Sequence, residues 1–398
     1  MNIALLSEKY TPDIGGLAIS TERLARLLAS AGHAHAVRLF CPSSNLLPSE
    51  KRTLTHSGVS VTRFGTHKRV DDTLVDWFEL IVAEHKREPF DVLHAYFLTQ
   101  AGFVATYAGK YLNIPSVVSI RGNDIERAVF DPSRFSHTMY TLQNASAVTT
   151  NASGLIKKAK AFIDREIILI PNGIDAEHFK PMKKNLSLAE ALGLKTLESD
   201  SLLSDVGEQA PRLQNNPVVG FVGELRAKKG LKTLLSAYTT ISKKRSLALL
   251  IVGDVRTGED KQQFDEFRTA NPNLQIIVTG YISPQSLPAY YSLIDVFAHP
   301  SLRDGMPNAL LEAMACEKAV VAMPVGGVLD VVKNRDNGIL VPVNDADALS
   351  SAIIELLGDE SLRCRLGKSA RETIQNEFTL QKELDANLTV YKTLGINP

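Results

Sequence analysis

The sequence predicts an α/β protein of two successive domains, each a parallel sheet with helices on both faces. Three observations lead to this prediction. The 398 residues are enough for two domains of ordinary size. Short apolar runs alternate along the chain with longer segments that repeat apolar residues at helical spacing. The apolar runs are continuous, which indicates strands that are buried on both faces, as in a parallel sheet.

In the first half, seven apolar runs predict strands, and amphipathic segments predict the helices between them. Residues 19–31, closed by Gly32, and residues 74–87 have the helical spacing. The predicted strands are Ile3 to Leu6, Val37 to Cys41, Val59 to Phe64, Val92 to His94, Val117 to Ile120, Ala147 to Thr149 and Ile167 to Ile170.

Turn-forming residues interrupt the pattern from Pro171 to Asp175, and a polar segment follows from about Lys183 to Asn216. The second half then repeats the design of the first. Its predicted strands are Val218 to Val222, Leu247 to Val252, Gln275 to Val278, Val296 to Ala298, Ala319 to Ala322 and Gly338 to Val341.

We therefore predict two Rossmann-like, doubly wound domains, over residues 1–171 and 172–378. The amphipathic segment over residues 379–398 is predicted to form a helix that packs back on the first domain. Ligands of open α/β sheets bind at the carboxyl ends of the strands, so two such domains facing each other would hold a ligand in the cleft between them.

Net charge and cysteine content limit the kinds of partner and metal site that the sequence suggests. Lys and Arg total 44, as do Asp and Glu, so there is no overall charge bias toward nucleic acid or an anionic membrane. Cys41, Cys316 and Cys364 are odd in number and widely spaced, which favours neither a disulfide framework nor a zinc site.

The chain begins without a basic, apolar leader, and no apolar run approaches the roughly 20 residues that span a bilayer. We therefore expect a soluble, cytoplasmic protein. Basic and aromatic residues from Lys68 to Phe78 allow peripheral contact with the inner face of a membrane, although a solvated helix face is the favoured interpretation.

Two carboxylates, Asp304 and Glu312, flank a predicted helix start. Pro307 is a favourable first helical residue and Gly305 loosens the preceding turn, so the helix is predicted from about Pro307 to Cys316. Backbone N–H groups at a helix start bind phosphate, and a carboxylate one turn further in can accept hydrogen bonds from ribose. The arrangement suits a nucleoside diphosphate bearing a sugar, and an ordinary amphipathic helix with two exposed acids explains it equally well.

In each half, a glycine-containing turn follows the first strand. Gly15 and Gly16 let the backbone approach a ligand, but no Gly-x-Gly-x-x-Gly pattern and no acid about twenty residues on argue for a dinucleotide. In the second half, Gly223 to Gly230 encloses three cations, among them Arg226 and Lys229. Such cations can neutralise a diphosphate and stabilise the charge that develops as it leaves, unless they are only a solvated helix start.

The remaining polar residues at strand ends indicate no metal site. His94 and His299 each end a strand, and no histidine pair has metal-ligand spacing on one helix. Asp345-Ala-Asp347 is interpreted as a helix cap and first turn. His33 and His35 are interpreted as surface residues.

Arg121 follows the strand Val117 to Ile120 and would project into the same cleft from the first domain. It can bind a phosphate or a carboxylate. A buried ion pair with Asp124 is about as compatible with the sequence.

Taken together, these motifs resemble the retaining glycosyltransferases of family 4, which have the two-domain GT-B fold. The resemblance spans nearly the whole chain. It rests on the Gly15-Gly16 turn, Asp91-Val-Leu-His94-Ala, Ile170-Pro-Asn-Gly-Ile-Asp175, Gly223 to Gly230, Gly253-Asp254, and Pro300 to Ala315.

The resemblance implies a metal-independent transferase that needs no cofactor. The second domain would bind a nucleotide sugar, most often a UDP- or GDP-sugar, and the first would bind an acceptor such as a glycan or lipid-linked glycan. Such transferases serve polysaccharide and glycoconjugate biosynthesis. Glu312 would hold the ribose, Arg226 and Lys229 the diphosphate, and Asp304 would sit at the sugar. The other donor-site residues would be Gly15, Gly16, Gly305, Met306, Pro307 and Asn308.

Three positions depart from the pattern of the family. Asp304 stands where Glu is more frequent, Glu224 where many members have a phosphate-binding Arg, and Arg121 where many have a His near the donor sugar. These departures keep two alternatives open. One is a nucleotide-sugar 2-epimerase of the same fold, and the other is a nucleotide-sugar-binding protein without activity. A catalytic role for Arg121 is a hypothesis on the same footing.

Overall fold

The computed structural model describes residues 1–13, 15–31, 36–194 and 216–396. Backbone contacts divide the chain into two compact units, Met1–Gly173 with Leu380–Pro398, and Ile174–Thr379. Each unit contains one largely parallel sheet with helices, which confirms the predicted fold class. His33, His35 and most of the polar segment before Asn216 lie outside the described residues.

The first unit has an eight-stranded sheet in the order β3-β4-β2-β1-β5-β6-β7-β8. The strands are β1 Asn2–Ser7, β2 Ala36–Ser43, β3 Lys51–His56, β4 Val59–Gly65, β5 Val92–Tyr96, β6 Ser116–Ile120, β7 Ala147–Thr150 and β8 Ile168–Leu169. All neighbours pair in parallel except β3 and β4. The winding reverses between β1 and β5, which pair directly.

Strand β3 is the element that the sequence analysis missed. All six of its residues are exposed, so it lacks the apolar run that marks the other strands. It pairs only with β4, at the edge of the sheet, where Lys51 and Arg52 suit a solvated strand. Apolar pattern alone does not find such an edge strand.

Helices cover both faces of this sheet. They are α1 Gly16–Ser30, α2 Val70–Arg87, α3 Gln100–Leu112, α4 Asn123–Glu126, α5 Pro132–Asn144 and α6 Ser153–Lys160. Helix α2 carries Asp71 and Asp72 in its first turn and three basic residues in its last, which complement the helix dipole at both ends.

The second unit has a six-stranded, wholly parallel sheet in the order β11-β10-β9-β12-β13-β14. The strands are β9 Val218–Val222, β10 Ala248–Val252, β11 Gln275–Val278, β12 Val296–His299, β13 Ala319–Ala322 and β14 Ile339–Leu340. The winding reverses between β9 and β12. The loops that follow these two strands therefore flank the switch point, where open α/β sheets bind their ligands.

Eight α-helices are described in the second unit. They are α7 Leu186–Ala191, α8 Leu231–Ser242, α9 Glu259–Ala270, α10 Leu287–Leu293, α11 Asn308–Ala315, α12 Val328–Val331, α13 Ala346–Gly358 and α14 Glu360–Glu377. Asp345 caps α13 by accepting the N–H of Ala348 at 2.8 Å, which confirms the interpretation of that acid as a helix cap.

Helix α15, Leu380–Thr393, returns to the first unit. Its Leu384, Val390 and Tyr391 belong to the apolar core on one face of that unit's sheet. Buried Glu383 accepts two hydrogen bonds from Arg23 of α1, at 2.6 and 3.1 Å. Among the described residues, no helix is long and apolar enough to cross a membrane.

Candidate functional site

The loop after β9 is held against the loop after β12 by backbone contacts. Gly230 has a φ of 81°, and a Cβ on it would lie 2.0 Å from the carbonyl oxygen of Pro300. Leu302 donates its N–H to the carbonyl of Lys228 at 3.0 Å. Only glycine permits this approach at residue 230. The two loops of the switch point thus form one surface.

A partly buried cation and a partly buried acid meet on that surface. The ammonium of Lys229 pairs with the carboxylate of Asp304, whose side chains are 23% and 16% exposed. His299 Nε2 lies 3.4 Å from Asp304 Oδ2, and Ser301 Oγ donates to the same oxygen at 3.5 Å. The residual exposure leaves the pair accessible to a ligand.

The protonation states of this group follow from its surroundings. Burial acts to raise the pKa of the Asp304 carboxyl, but Lys229 and His299 outweigh it and hold that pKa well below its ordinary value. Burial lowers the pKa of His299 despite the opposing effect of Asp304. At neutral pH, Asp304 is therefore an anion and His299 a neutral imidazole.

Two glycines after β13 pack against the backbone of Asp304 and Gly305. Gly326 has a φ of 51°, and a Cβ there would lie 1.8 Å from the carbonyl oxygen of Asp304. Gly327 donates its N–H to the carbonyl of Gly305 at 2.7 Å. The sequence analysis gave these glycines no role, although their position after a strand is the same signal that drew attention to Gly15 and Gly16.

Helix α11 begins one residue later than predicted. Pro307, with a ψ of 107°, is extended and forms the N-cap, while Asn308 is the first helical residue. The carbonyl of Pro307 accepts the N–H of Leu311 at 3.3 Å, as an N-cap carbonyl does. The prediction of Pro307 as the first helical residue was wrong because its ψ, which the ring does not fix, is extended.

Glu312 lies one turn inside α11 and is oriented by Tyr291 of α10. The Tyr291 hydroxyl donates to Glu312 Oε2 at 2.8 Å and also lies 3.1 Å from the carbonyl of Ala309. Burial, with Glu312 beside it, raises the pKa of Tyr291 well above its ordinary value. The phenol therefore stays protonated and is a fixed donor to the carboxylate.

Arg226 and Glu224 form an ion pair within the β9 loop, with Nη1 3.2 Å from Oε2. Glu224 is half exposed, and the Nε of Arg226 is buried without a hydrogen-bond partner in the described part of the chain. Glu224 thus holds the guanidinium of its neighbour in place.

The predicted residues of the first unit form two separate groups. Gly15, with a φ of 134°, is the N-cap of α1, and a Cβ on it or on Gly16 would meet no atom of the described residues within 4 Å. This turn is open to a ligand. The second group is centred on Arg121, at the carboxyl end of β6.

Arg121 does not form the side-chain pair with Asp124 that the sequence left open. Asp124 is fully buried and accepts the backbone N–H groups of Leu98, Arg121, Gly122 and Ile125. The guanidinium instead stacks on the Tyr96 ring, 3.7 Å from its centroid, and donates to Asn172 Oδ1 at 2.9 Å. Three of these donors lie within three residues of Asp124, as is usual for an aspartate in a turn, and the fourth comes from Leu98, 26 residues earlier.

Two family models match the chain, one in each half. The model for Glycosyltransferase Family 4 matches residues 14–178, and the model for Glycosyl transferases group 1 matches residues 207–373. The chain belongs to the glycosyltransferases of the family 4 type. The matched ranges contain Arg121 in the first unit and, in the second, both strands of the switch point with Lys229, Asp304 and Glu312.

Curated relatives agree with this family, and a solved structure shows the same fold. A capsular polysaccharide biosynthesis glycosyltransferase of Staphylococcus aureus is 32% identical over 46% of this chain, a stretch that spans only 47% of that relative. An Escherichia coli enzyme named UDP-Gal:alpha-D-GlcNAc-diphosphoundecaprenol alpha-1,3-galactosyltransferase is 25% identical, with 82% of this chain and 80% of that protein covered. The structure of HepE from Anabaena with UDP superposes with a TM-score of 0.77 at 18% identity, covering 99% of this chain and all of that one. This last likeness shows the GT-B fold.

This glycosyltransferase brings only part of the predicted site into direct contact. Lys229 and Asp304 touch, whereas Arg226 contacts Glu224 and Glu312 contacts Tyr291. His299 and Tyr291 carry contacts that the sequence analysis did not assign. His299 at a strand end was visible in the sequence, but Tyr291 lies 21 residues before Glu312, and no pattern links them.

Proposed function

We propose that this glycosyltransferase moves a sugar from a nucleoside diphosphate sugar to an acceptor hydroxyl, with retention at the anomeric carbon. The observation that carries the proposal is the Lys229–Asp304 pair at the switch point of the second unit. The pair supports the proposal because a cation can bind a diphosphate, a carboxylate can accept from a sugar hydroxyl, and open α/β sheets bind their ligands at such a switch point.

The cations of the β9 loop suit the diphosphate. Lys229 has three N–H donors, so it can bind a phosphate oxygen while it keeps Asp304 as a partner. Arg226, held by Glu224, supplies a second cation in the same loop. Because the diphosphate gains charge as the glycosidic bond breaks, both cations stabilise the transition state more than the bound donor.

The acids suit the two polyhydroxyl parts of the donor. Glu312, oriented by Tyr291, accepts hydrogen bonds from the ribose. Asp304 is ionised and accepts hydrogen bonds from the sugar, so it does not serve as a proton donor at neutral pH. The other donor-site residues of the proposal are Gly15, Gly16, Gly305, Met306, Pro307 and Asn308.

We propose that retention follows from attack on the face of the leaving group, with the leaving phosphate taking the proton of the acceptor. The polar side chains at the switch point are then needed for charge and orientation rather than as a nucleophile. We also propose that the reaction needs no metal, because Lys229 and Arg226 supply the positive charge.

The relatives suggest the substrates. HepE was solved with UDP, and the E. coli relative is named for UDP-Gal and a lipid diphosphate acceptor. We propose a UDP- or GDP-sugar as donor and a glycan or lipid-linked glycan as acceptor.

The first test compares donor binding by the wild type, Glu312→Gln and Glu372→Gln. UDP- and GDP-sugars are titrated without metal, and the thermal shift gives the dissociation constant. Because a hydrogen bond to a charged group contributes about 1.5–3 kcal/mol, Glu312→Gln is expected to weaken donor binding about tenfold or more. Glu372, exposed on α14, provides the control and should leave binding unchanged.

Equal binding by all three proteins would refute the ribose assignment. Incubation of the bound donor without an acceptor separates the remaining alternatives, because an epimer identifies a 2-epimerase. A donor that binds tightly but is never transferred or hydrolysed, with any acceptor supplied, would indicate a binding protein.

A further inference from the structure

Four polar side chains gather at the carboxyl ends of neighbouring strands of the first unit. Tyr96 ends β5, Arg121 follows β6, Asn151 follows β7 and Asn172 follows β8. Three of them are almost fully buried, while Arg121 is partly exposed. The residues proposed to bind the nucleotide sugar lie in the second unit and in the Gly15 turn, so none of them belongs to this group.

Arg121 is fixed in position by neutral groups. Its guanidinium stacks on Tyr96 and donates from Nη1 to Asn172 Oδ1. Asn172 Oδ1 also lies 3.4 Å from Asn151 Nδ2, and the next residue, Gly173, is held by Glu383 of α15 at 2.9 Å. A planar guanidinium held in this way is oriented before any ligand binds.

The positive charge of Arg121 is not balanced by a carboxylate among the residues that the structure describes. Burial raises the pKa of Tyr96 to about 12 and lowers that of His94 to about 3, so both are neutral. The nearby Glu383 is paired with Arg23. Asp124 directs its carboxylate to backbone N–H groups, and burial raises its pKa to about 6 against their effect.

An unsatisfied donor lies at the same place. The Nε of Arg121 is buried and lacks a hydrogen-bond partner in the described ranges, and the buried hydroxyl of Tyr96 lies beside the same guanidinium. A buried donor without a partner costs about 1–3 kcal/mol, and an oxyanion supplies the acceptor atoms that such donors need.

We infer that Arg121 and Tyr96 form a binding site for an oxyanion carried by the acceptor, a phosphate or a carboxylate. The inference rests on the proposed transferase function and narrows its acceptor to an anionic molecule. Arg121 is then an acceptor-binding residue. Asn172 acts through it as a positioning residue, and the roles of the second unit are unchanged.

The test measures anion binding without any nucleotide sugar. Thermal shifts are recorded against inorganic phosphate and acetate at constant ionic strength, and against glucose 6-phosphate, glucuronate and glucose. We expect anion-dependent stabilisation of the wild type, weakened about tenfold or more in Arg121→Gln, and no response to glucose. Arg127→Gln, an exposed arginine six residues on, is the matched control and should behave as the wild type.

Two further variants locate the bound anion and guard against misfolding. Lys229→Gln should keep the Arg121-dependent response, because Lys229 belongs to the second unit. Arg121→Lys retains the charge but loses the planar fork, so it should bind several-fold more weakly while remaining folded. A preference for glucose 6-phosphate identifies a phosphate-bearing acceptor, and a preference for glucuronate identifies a carboxylate.

Anion binding that is unchanged in both Arg121 variants, or that is lost only in Lys229→Gln, would overturn the inference. Either result leaves the transferase proposal intact, since donor binding by the wild type and Glu312→Gln is measured separately. Conversely, absent donor binding with an intact Arg121-dependent anion site would count against the transferase alone.

Discussion

At the scale of single residues, the candidate site contains side chains that are held by a specific partner. Lys229 keeps Asp304 ionised in a largely buried position, and Tyr291 orients Glu312. Each carboxylate thereby has a defined direction before a ligand arrives. Preorganised charges of this kind cost no reorganisation during the reaction.

The pairing of Asp304 predicts a pH-dependent stability. The depressed pKa means that ionised Asp304 stabilises the folded state above the unfolded pKa of about 3.9, and that this contribution is lost as pH falls through the folded-state pKa. Asp304→Asn is therefore expected to lower the free energy of unfolding by about 3 kcal/mol at pH 7 and by less at pH 3.

Urea denaturation at pH 7, 5 and 3 measures the effect. Exposed Asp336 provides the control, and Asp336→Asn should change stability little at any pH. An Asp304→Asn effect of the same size at pH 3 as at pH 7 would show that packing, not charge, holds this side chain.

At the scale of secondary-structure elements, α15 supports the first unit at two places. Glu383 binds Arg23 of α1 and the N–H of Gly173, while the Tyr391 hydroxyl lies 2.7 Å from His94 Nδ1. His94 lies in the middle of β5 and not at a strand end as predicted, because the strand continues to Tyr96. His94 packs edge-on against Tyr96, whose ring lies under Arg121. Helix α15 thus contacts both β5, which carries Tyr96, and the backbone beside Asn172.

Removing the charge of Glu383 is expected to destabilise the protein strongly. Glu383→Gln leaves buried Arg23 without its counter-ion, and breaking such a pair costs about 3–5 kcal/mol. The melting temperature and the urea midpoint measure the loss, with Glu372→Gln as the exposed control. A midpoint within experimental error of the wild type would show that the Arg23 pair does not contribute to stability.

Elements with buried apolar runs were predictable, and solvated or boundary features were not. Helix α11 was predicted to within one residue at each end, and the strands of the second unit were found at almost their observed bounds. Strand β3 was missed because its six side chains are all exposed. A run of apolar residues in the sequence reveals a strand or helix only where that element is buried.

At the scale of the whole molecule, each unit repeats the same design with a different polar group. Both sheets reverse their winding once, between β1 and β5 and between β9 and β12. The second unit places Lys229 and Asp304 there, and the first places the open Gly15 turn. One fold used twice therefore presents different groups at its two switch points.

The proposed assignment of the donor to the second unit predicts which amides a bound nucleotide protects from hydrogen exchange. Saturating UDP or GDP is expected to slow amide hydrogen exchange most in residues 223–230 and 301–312, because these loops contain the proposed diphosphate and ribose contacts. Exchange in β3 serves as the internal reference. The protection should fall in Glu312→Gln at the same nucleotide concentration. Protection confined to the first unit would contradict the assignment of the donor to the second.

The fold class, the division into two units and the return of α15 to the first unit could be predicted from the sequence. These follow from apolar periodicity and turn residues, which act over a few neighbouring positions. The tertiary structure alone decided which side chains meet. Lys229 reaches Asp304 across 75 residues of chain, Tyr291 reaches Glu312 from another helix, and Arg121 stacks on Tyr96 rather than pairing with Asp124. The physical reason is that strand order and loop packing bring these residues together, and neither is encoded in local spacing.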